Sequence, residues 1–270
     1  MIWAVRILVV LASLYLLILL LLWLLQTRIL FPATPGGALP QGAERLLLTA
    51  ADGTRLEGVH LAPTVGGRTG PVLIGFGGNA WSGHDVADYL HDLYPKSDVI
   101  VFNYRGYAPS GGTASAAALI ADAPLIHDLA ATRFPGRPIV AIGFSVGTGI
   151  AAGLARDREP AGLILVTPFD SLGRVVSDHY PWVPVRLLFR HPMPVSDWLS
   201  RTRVPVALIG AGGDTLIPPA RTEALGRSLP NLIFDRTIAG AGHNDIYRRS
   251  DFQAAMRDAM AGIQGVASAD

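Results

Sequence analysis

What most restricts the fold of this chain is an alternation between short apolar runs and longer helical stretches. The runs fall at 72–76, 99–103, 138–142, 163–167, 204–210 and 232–237. Stretches at 85–93, 114–133, 148–155, 219–228 and 250–263 have helical length and apolar spacing. A strand that is apolar along its whole length is buried on both faces, and helical crossovers join parallel strands. The chain is therefore expected to form a mostly parallel sheet covered on both sides, an α/β fold. Two earlier runs, 44–49 and 54–61, flank Ala51-Asp52-Gly53, a hairpin signal that makes the sheet mixed. Pro124 falls inside the 114–133 stretch and is a candidate interruption of that helix.

Ahead of the sheet, residues 7–25 carry no charge. As a helix they would extend about 28 Å, close to the hydrocarbon thickness of a bilayer. Trp3 and Trp23 sit near the ends, and Arg6 and Arg28 bracket the run. The run is longer than the apolar core of a cleaved signal peptide, and no small-x-small site follows it closely, so a retained anchor is expected. Residues 1–28 then form a transmembrane anchor, 29–42 a Pro/Gly linker and 43–270 the folded domain. Flanking charges nearly tie. The short arginine-bearing amino-terminal tail leans towards an exported domain, periplasmic or luminal.

With 270 residues, half of them hydrophobic, the chain can bury a substantial core. A net charge of +1 lacks the basic footprint of a nucleic-acid binder. The absence of cysteine excludes disulfides, thiolate nucleophiles and Cys-based zinc sites.

One pentapeptide carries chemistry. Gly143-Phe144-Ser145-Val146-Gly147 lies between a buried run and a small-residue helix. A serine wedged there sits on a sharp turn that needs small neighbours, and its hydroxyl projects above the sheet at a helix N-terminus. With 30 glycines in the chain, such flanking arises by chance for roughly one serine in eighty, so context must support it. A nucleophilic serine needs a base, and the base an orienting acid. His243, in Gly240-Ala241-Gly242-His243-Asn244-Asp245, is the histidine in a suitable loop after a strand. Asp214, just past the 204–210 strand and before a helix, is the favoured acid, with Asp170 as its competitor. An oxyanion hole would use the Val146 amide and a second amide from Gly77-Gly78-Asn79-Ala80, Asn79 first and Gly78 next.

Residues 168–203 separate two strands by far more than a short crossover and hold Tyr180, Trp182, Leu187, Leu188 and Phe189. Such an insert is placed to act as a cap or lid. Tyr107, Phe169 and Trp182 are the candidate pocket-lining residues.

Together these pieces resemble an α/β-hydrolase, and in particular the single-pass, membrane-anchored α/β-hydrolase-domain serine hydrolases. The matching segments are Phe76-Gly77-Gly78-Asn79-Ala80, Asn103-Tyr104-Arg105-Gly106-Tyr107, Gly143 to Gly147, Gly213-Asp214 with Pro218, and Gly242-His243-Asn244-Asp245. Gly77 stands where the family commonly has His, and Ala108-Pro109 where it usually has Gly. The resemblance implies an eight-stranded, mostly parallel sheet and serine-hydrolase chemistry. The membrane tether and the apolar insert favour an ester or thioester with an acyl chain, a small-molecule or lipid ester or an acylated protein, cleaved without a cofactor through an acyl-enzyme on Ser145. The same machinery could serve a peptidase. A rival reading takes Gly75-Phe76-Gly77-Gly78-Asn79-Ala80 as a dinucleotide fingerprint with Arg105 on a 2′-phosphate. It leaves Ser145 and His243 without a role.

Overall fold

In the computed structural model, which describes residues 1–67 and 69–267, the apolar runs pair into one eight-stranded sheet. In chain order the strands are β1 (Glu44–Thr49), β2 (Arg55–Leu61), β3 (Val72–Phe76), β4 (Asp98–Phe102), β5 (Ile139–Phe144), β6 (Gly162–Val166), β7 (Val206–Ala211) and β8 (Leu232–Ile238). The helices are α1 (Ile2–Leu30), α2 (Gly83–Leu93), α3 (Ala116–Arg133), α4 (Val146–Asp157), α5 (Leu172–His179), α6 (Val185–Leu188), α7 (Val195–Leu199), α8 (Pro219–Gly226) and α9 (Ser250–Ala267).

The spatial order is β1-β2-β4-β3-β5-β6-β7-β8. β2 runs antiparallel to both of its neighbours, and the other pairings are parallel. The inner strands are buried residue by residue, and alternate side chains feed two separate cores. Val72, Ile74 and Phe76 pack with α3 and α4 on one face, whereas Leu73 packs with α2 and α9 on the other. β4 lies on one side of β3 and β5 on the other, so the chain reverses direction across the sheet at β3. Open α/β sheets build their sites at the carboxyl ends of strands beside such a switch.

α3 continues through Pro124. The ring removes one backbone donor, but Leu119, Ala123, Ile126 and Ala130 of α3 are buried, and this packing holds the helix together. Its start is fixed by Ser115, whose hydroxyl accepts from Ala118 N–H at 3.1 Å.

α1 is longer than its uncharged run, and the chain after it is irregular but held to the domain. Phe31 is buried in the core, Thr34 O accepts from Ala108 N–H at 3.2 Å, and Gly37 O lies 2.8 Å from His84 Nδ1. α1 passes the length and hydropathy requirements for a membrane span, and no residue of it is buried. The insert after β6 consists of α5, α6 and α7 joined by Pro-rich turns.

Candidate active site

Ser145 stands between the last residue of β5 and the first of α4 with φ 52° and ψ −120°. That left-handed conformation is costly for a non-glycine residue, so neighbouring contacts must impose it. Ser145 N–H donates to Val166 O at 2.9 Å, and its carbonyl accepts from Thr148 through both N–H, at 2.9 Å, and Oγ1, at 2.6 Å. The flanking glycines supply space. A Cβ on Gly147 would lie 2.2 Å from Phe76 O, and one on Gly143 would lie 2.6 Å from Gly147 O. Among the described residues, the other two positive-φ non-glycine residues are Ala80 (57°), in the loop after β3, and Thr167 (47°), directly after β6. Strain is thus collected around one rim of the sheet, and the sequence carries no signal for those two positions.

Three distant side chains meet there. His243 Nε2 is 2.9 Å from Ser145 Oγ, and His243 Nδ1 is 2.7 Å from Asp214 Oδ2. Asp214 Oδ1 accepts from the N–H groups of Leu216 and Ile217, at 2.8 Å each. With Oδ1 engaged by these amides, Oδ2 is placed to accept from His243 Nδ1–H, an arrangement that leaves Nε2 able to accept from the Ser145 hydroxyl. Ser145, Asp214 and His243 are all buried, which strengthens the electrostatics of the series. Such an arrangement can raise the nucleophilicity of a hydroxyl at neutral pH. Asp170, the competing acid, instead binds Arg174 at 2.8 Å and Arg221 at 3.3 Å.

The loop after β3 faces this series. A Cβ on Gly78 would come within 3.5 Å of Ser145 Cβ. Val146 opens α4, so its N–H belongs to the first turn, whose donors have no partner within the helix. The Asn79 side chain turns away, with Nδ2 donating to Ile29 O at 3.3 Å.

Tyr104, which the sequence places in a motif segment without a role of its own, donates from its hydroxyl to Gly77 O at 2.8 Å and pins the loop from below. Burial pushes its pKa up, which keeps it a donor. Asn103 Oδ1 accepts from Gly83 N–H at 2.8 Å and fixes the start of α2. Arg105 is buried, its guanidinium held by Asp122, Asp52 and Thr54. The segment after β4 thus ties three neighbours in place: Tyr104 holds the loop after β3, Asn103 the start of α2, and Arg105 joins the β1–β2 turn to α3.

The candidate pocket residues lie in three settings. Phe169 is fully buried in the α3–α4 core. Tyr107 is almost as buried, in edge contact with Tyr104 at 5.5 Å between ring centroids. Trp182 is half-exposed and rests against Tyr15 of α1.

No family model matches the chain. An uncharacterized protein of Mycobacterium tuberculosis is 32% identical over 235 residues, 83% of this chain and 82% of that one. The lysophosphatidylserine lipase ABHD12 of Rattus norvegicus is 32% identical over 190 residues, 60% of this chain and 45% of that protein. The esterase Pf2001 of Pyrococcus furiosus superposes with a TM-score of 0.66 over 86% of this chain and 96% of its own, at 18% identity. The chain belongs to one family with the mycobacterial protein and has the α/β-hydrolase fold. An α-beta serine hydrolase homologue from Coxiella burnetii shares the fold as well, with a TM-score of 0.60, 17% identity and 80% and 95% coverage. The α/β-hydrolase resemblance suggested by the motifs is therefore borne out, and with it the eight-stranded, mostly parallel sheet. The relatives support a hydrolase.

Proposed function

We propose that the protein is a membrane-anchored serine hydrolase that cleaves a carboxylic ester or thioester through an acyl-enzyme on Ser145. The observation that carries this reading is the unbroken hydrogen-bonded series from Ser145 Oγ through His243 to Asp214. In the first half-reaction Ser145 Oγ attacks the acyl carbonyl carbon while its proton passes to His243 Nε2. Asp214 holds the Nδ1–H and stabilises the imidazolium. The oxyanion receives the Val146 N–H and a second amide from the loop after β3, Asn79 first and Gly78 next. Collapse breaks the ester bond, and His243 gives its proton to the departing alcohol or thiol. Water then attacks the acyl-serine with His243 as base, and the acid leaves.

The membrane part of the reading rests on α1, long and apolar enough to cross a bilayer and with none of its residues buried. The domain is proposed to lie on the exported side. A lipid ester is favoured because a relative bears the name lysophosphatidylserine lipase and because the insert joins the apolar helix.

The test is hydrolysis of esters of graded acyl length by the full chain in detergent. Ester cleavage by the wild type and its loss in Ser145→Ala are expected. Equal turnover by the two proteins would refute the reading.

A further inference from the structure

The insert runs back along α1. Thr27 Oγ1 is 2.8 Å from His191 Nε2, Gln26 Nε2 donates to Leu188 O at 3.1 Å, and Gln26 Oε1 accepts from Arg190 N–H at 2.8 Å. The Arg190 guanidinium lies 4.5 Å from the Trp23 ring centroid. Farther along, Tyr15 OH donates to Trp182 O at 2.9 Å, and the two rings lie 6.3 Å apart. The partly covered residues of α1, namely Leu19, Leu22, Trp23, Gln26, Thr27 and Leu30, form one stripe at three- and four-residue spacing.

These contacts conflict with an insert lying in water. Only residues 2–14 of α1 lie beyond them, about 20 Å of helix where a bilayer's hydrocarbon needs about 30 Å. If α1 spans, the tip Pro181-Trp182-Val183-Pro184 stands at bilayer depth beside Tyr15. Its surface suits that place, since Trp182 is 49% and Tyr180 45% exposed. Leu187, 84% exposed, and Arg186 sit nearer the level of Gln26, where a long arginine stem reaches the headgroups.

Between α1 and the insert runs a groove walled by Leu19, Leu22, Ile29, Val176, Val183 and Leu188. Gln26, a polar side chain in its lining, already has both ends of its amide engaged. A hydrocarbon occupant therefore fits, and a polar one does not. Ile29 is in the lining, its carbonyl accepts from Asn79 Nδ2 at 3.3 Å, and a Cβ on the adjoining Gly78 would lie 3.5 Å from Ser145 Cβ. From Leu19 to Leu30 α1 rises about 16 Å. At about 1.2 Å per bond of extended chain, that length matches roughly thirteen carbons.

We propose that this groove holds one acyl chain of a membrane lipid ester, which slides in sideways from the bilayer between α1 and the insert and brings its carbonyl to Ser145. The proposal rests on the membrane-anchored hydrolase reading above. Lateral admission suits the lining, because hydrocarbon leaving the bilayer for such a groove never crosses water and exchanges one apolar contact for another.

The chain has no cysteine, so single cysteines can be labelled cleanly. In full-length protein in phosphatidylcholine vesicles, an environment-sensitive dye at Leu14→Cys or Trp182→Cys is expected to be quenched by nitroxide-bearing acyl chains at both positions. Quenching at 14 without quenching at 182 would overturn the proposal. No quenching at 14 would overturn the spanning reading itself. In activity, Leu22→Trp and, from the opposite wall, Val183→Trp are expected to lower the dodecanoyl-to-butyryl ratio of kcat/KM by about tenfold. Two variants whose ratio equals the wild type's refute an acyl chain in the groove. Loss of fluorophosphonate labelling of Ser145 in the wild-type preparation would instead refute the hydrolase.

Discussion

Gly147→Ala tests whether the turn at Ser145 is as tightly built as its contacts indicate. The added methyl would lie 2.2 Å from Phe76 O and 2.5 Å from Gly77 O, both backbone atoms of β3 and its loop. Real Cβ atoms essentially never approach closer than 3.0 Å, so the elbow and the β3 end must part by at least 0.8 Å. If that displacement falls on Ser145, its 2.9 Å bond to His243 opens to about 3.7 Å, beyond hydrogen-bonding reach. Misplacement on this scale costs about 100-fold in rate. Overpacking of a rigid site costs about 1–3 kcal/mol, and at roughly 2–4 °C per kcal/mol Tm falls by several degrees.

Gly149→Ala is the control, since its Cβ would meet Met193 Sδ at 2.4 Å, the far end of an adaptable side chain. Some loss of Tm with activity largely kept is expected there. The assay is kcat/KM on a soluble butyryl ester together with thermal melting. Gly147→Ala retaining activity within about twofold would refute the close approach of α4 to β3 as the reason for glycine.

Other outcomes follow from the same geometry. Asp214→Asn should reduce kcat by about 10⁴ by presenting the wrong imidazole tautomer, measured on the same ester. Tyr104→Phe removes the donor to Gly77 O, and a buried carbonyl left without its partner costs about 1–3 kcal/mol. Its kcat should fall more than its KM changes, because the loop serves the transition state. Burial, with the Arg190 charge adding to it, holds the His191 imidazole below its ordinary pKa. His191 therefore takes up a proton more readily unfolded than folded. Its contribution is full above the ordinary value of 6.5 and is lost as pH falls below it. The Tm gap between wild type and His191→Gln should accordingly narrow between about pH 7.5 and pH 5.5; a constant gap would refute it.

The sheet was legible because inner strands buried on both faces must be apolar throughout, and Val72 to Phe76 or Leu163 to Val166 have no other use for such composition. Ser145, Asp214 and His243 were legible because each stands in a short loop after a strand with small or turn-forming neighbours. Pro124 misled in the ordinary way, since tertiary packing of α3 outweighs the local preference of proline. The pairing of α1 with the insert left no trace in the sequence. Most of α1 is apolar on every face, so no apolar stripe marks the side that meets the insert, although Tyr15, Gln26 and Thr27 make its hydrogen bonds. Tyr104 was equally silent, because a hydroxyl's partner across 27 positions is a matter of topology alone.

The central claim is that Ser145 is a nucleophile activated by His243, and active-site labelling tests it most directly. Full-length protein treated with a fluorophosphonate and digested for mass spectrometry should carry one adduct, on the peptide containing Ser145. Labelling should vanish in Ser145→Ala and slow sharply in His243→Ala. A folded, unlabelled wild type, or equal labelling of the His243 variant, would contradict the account.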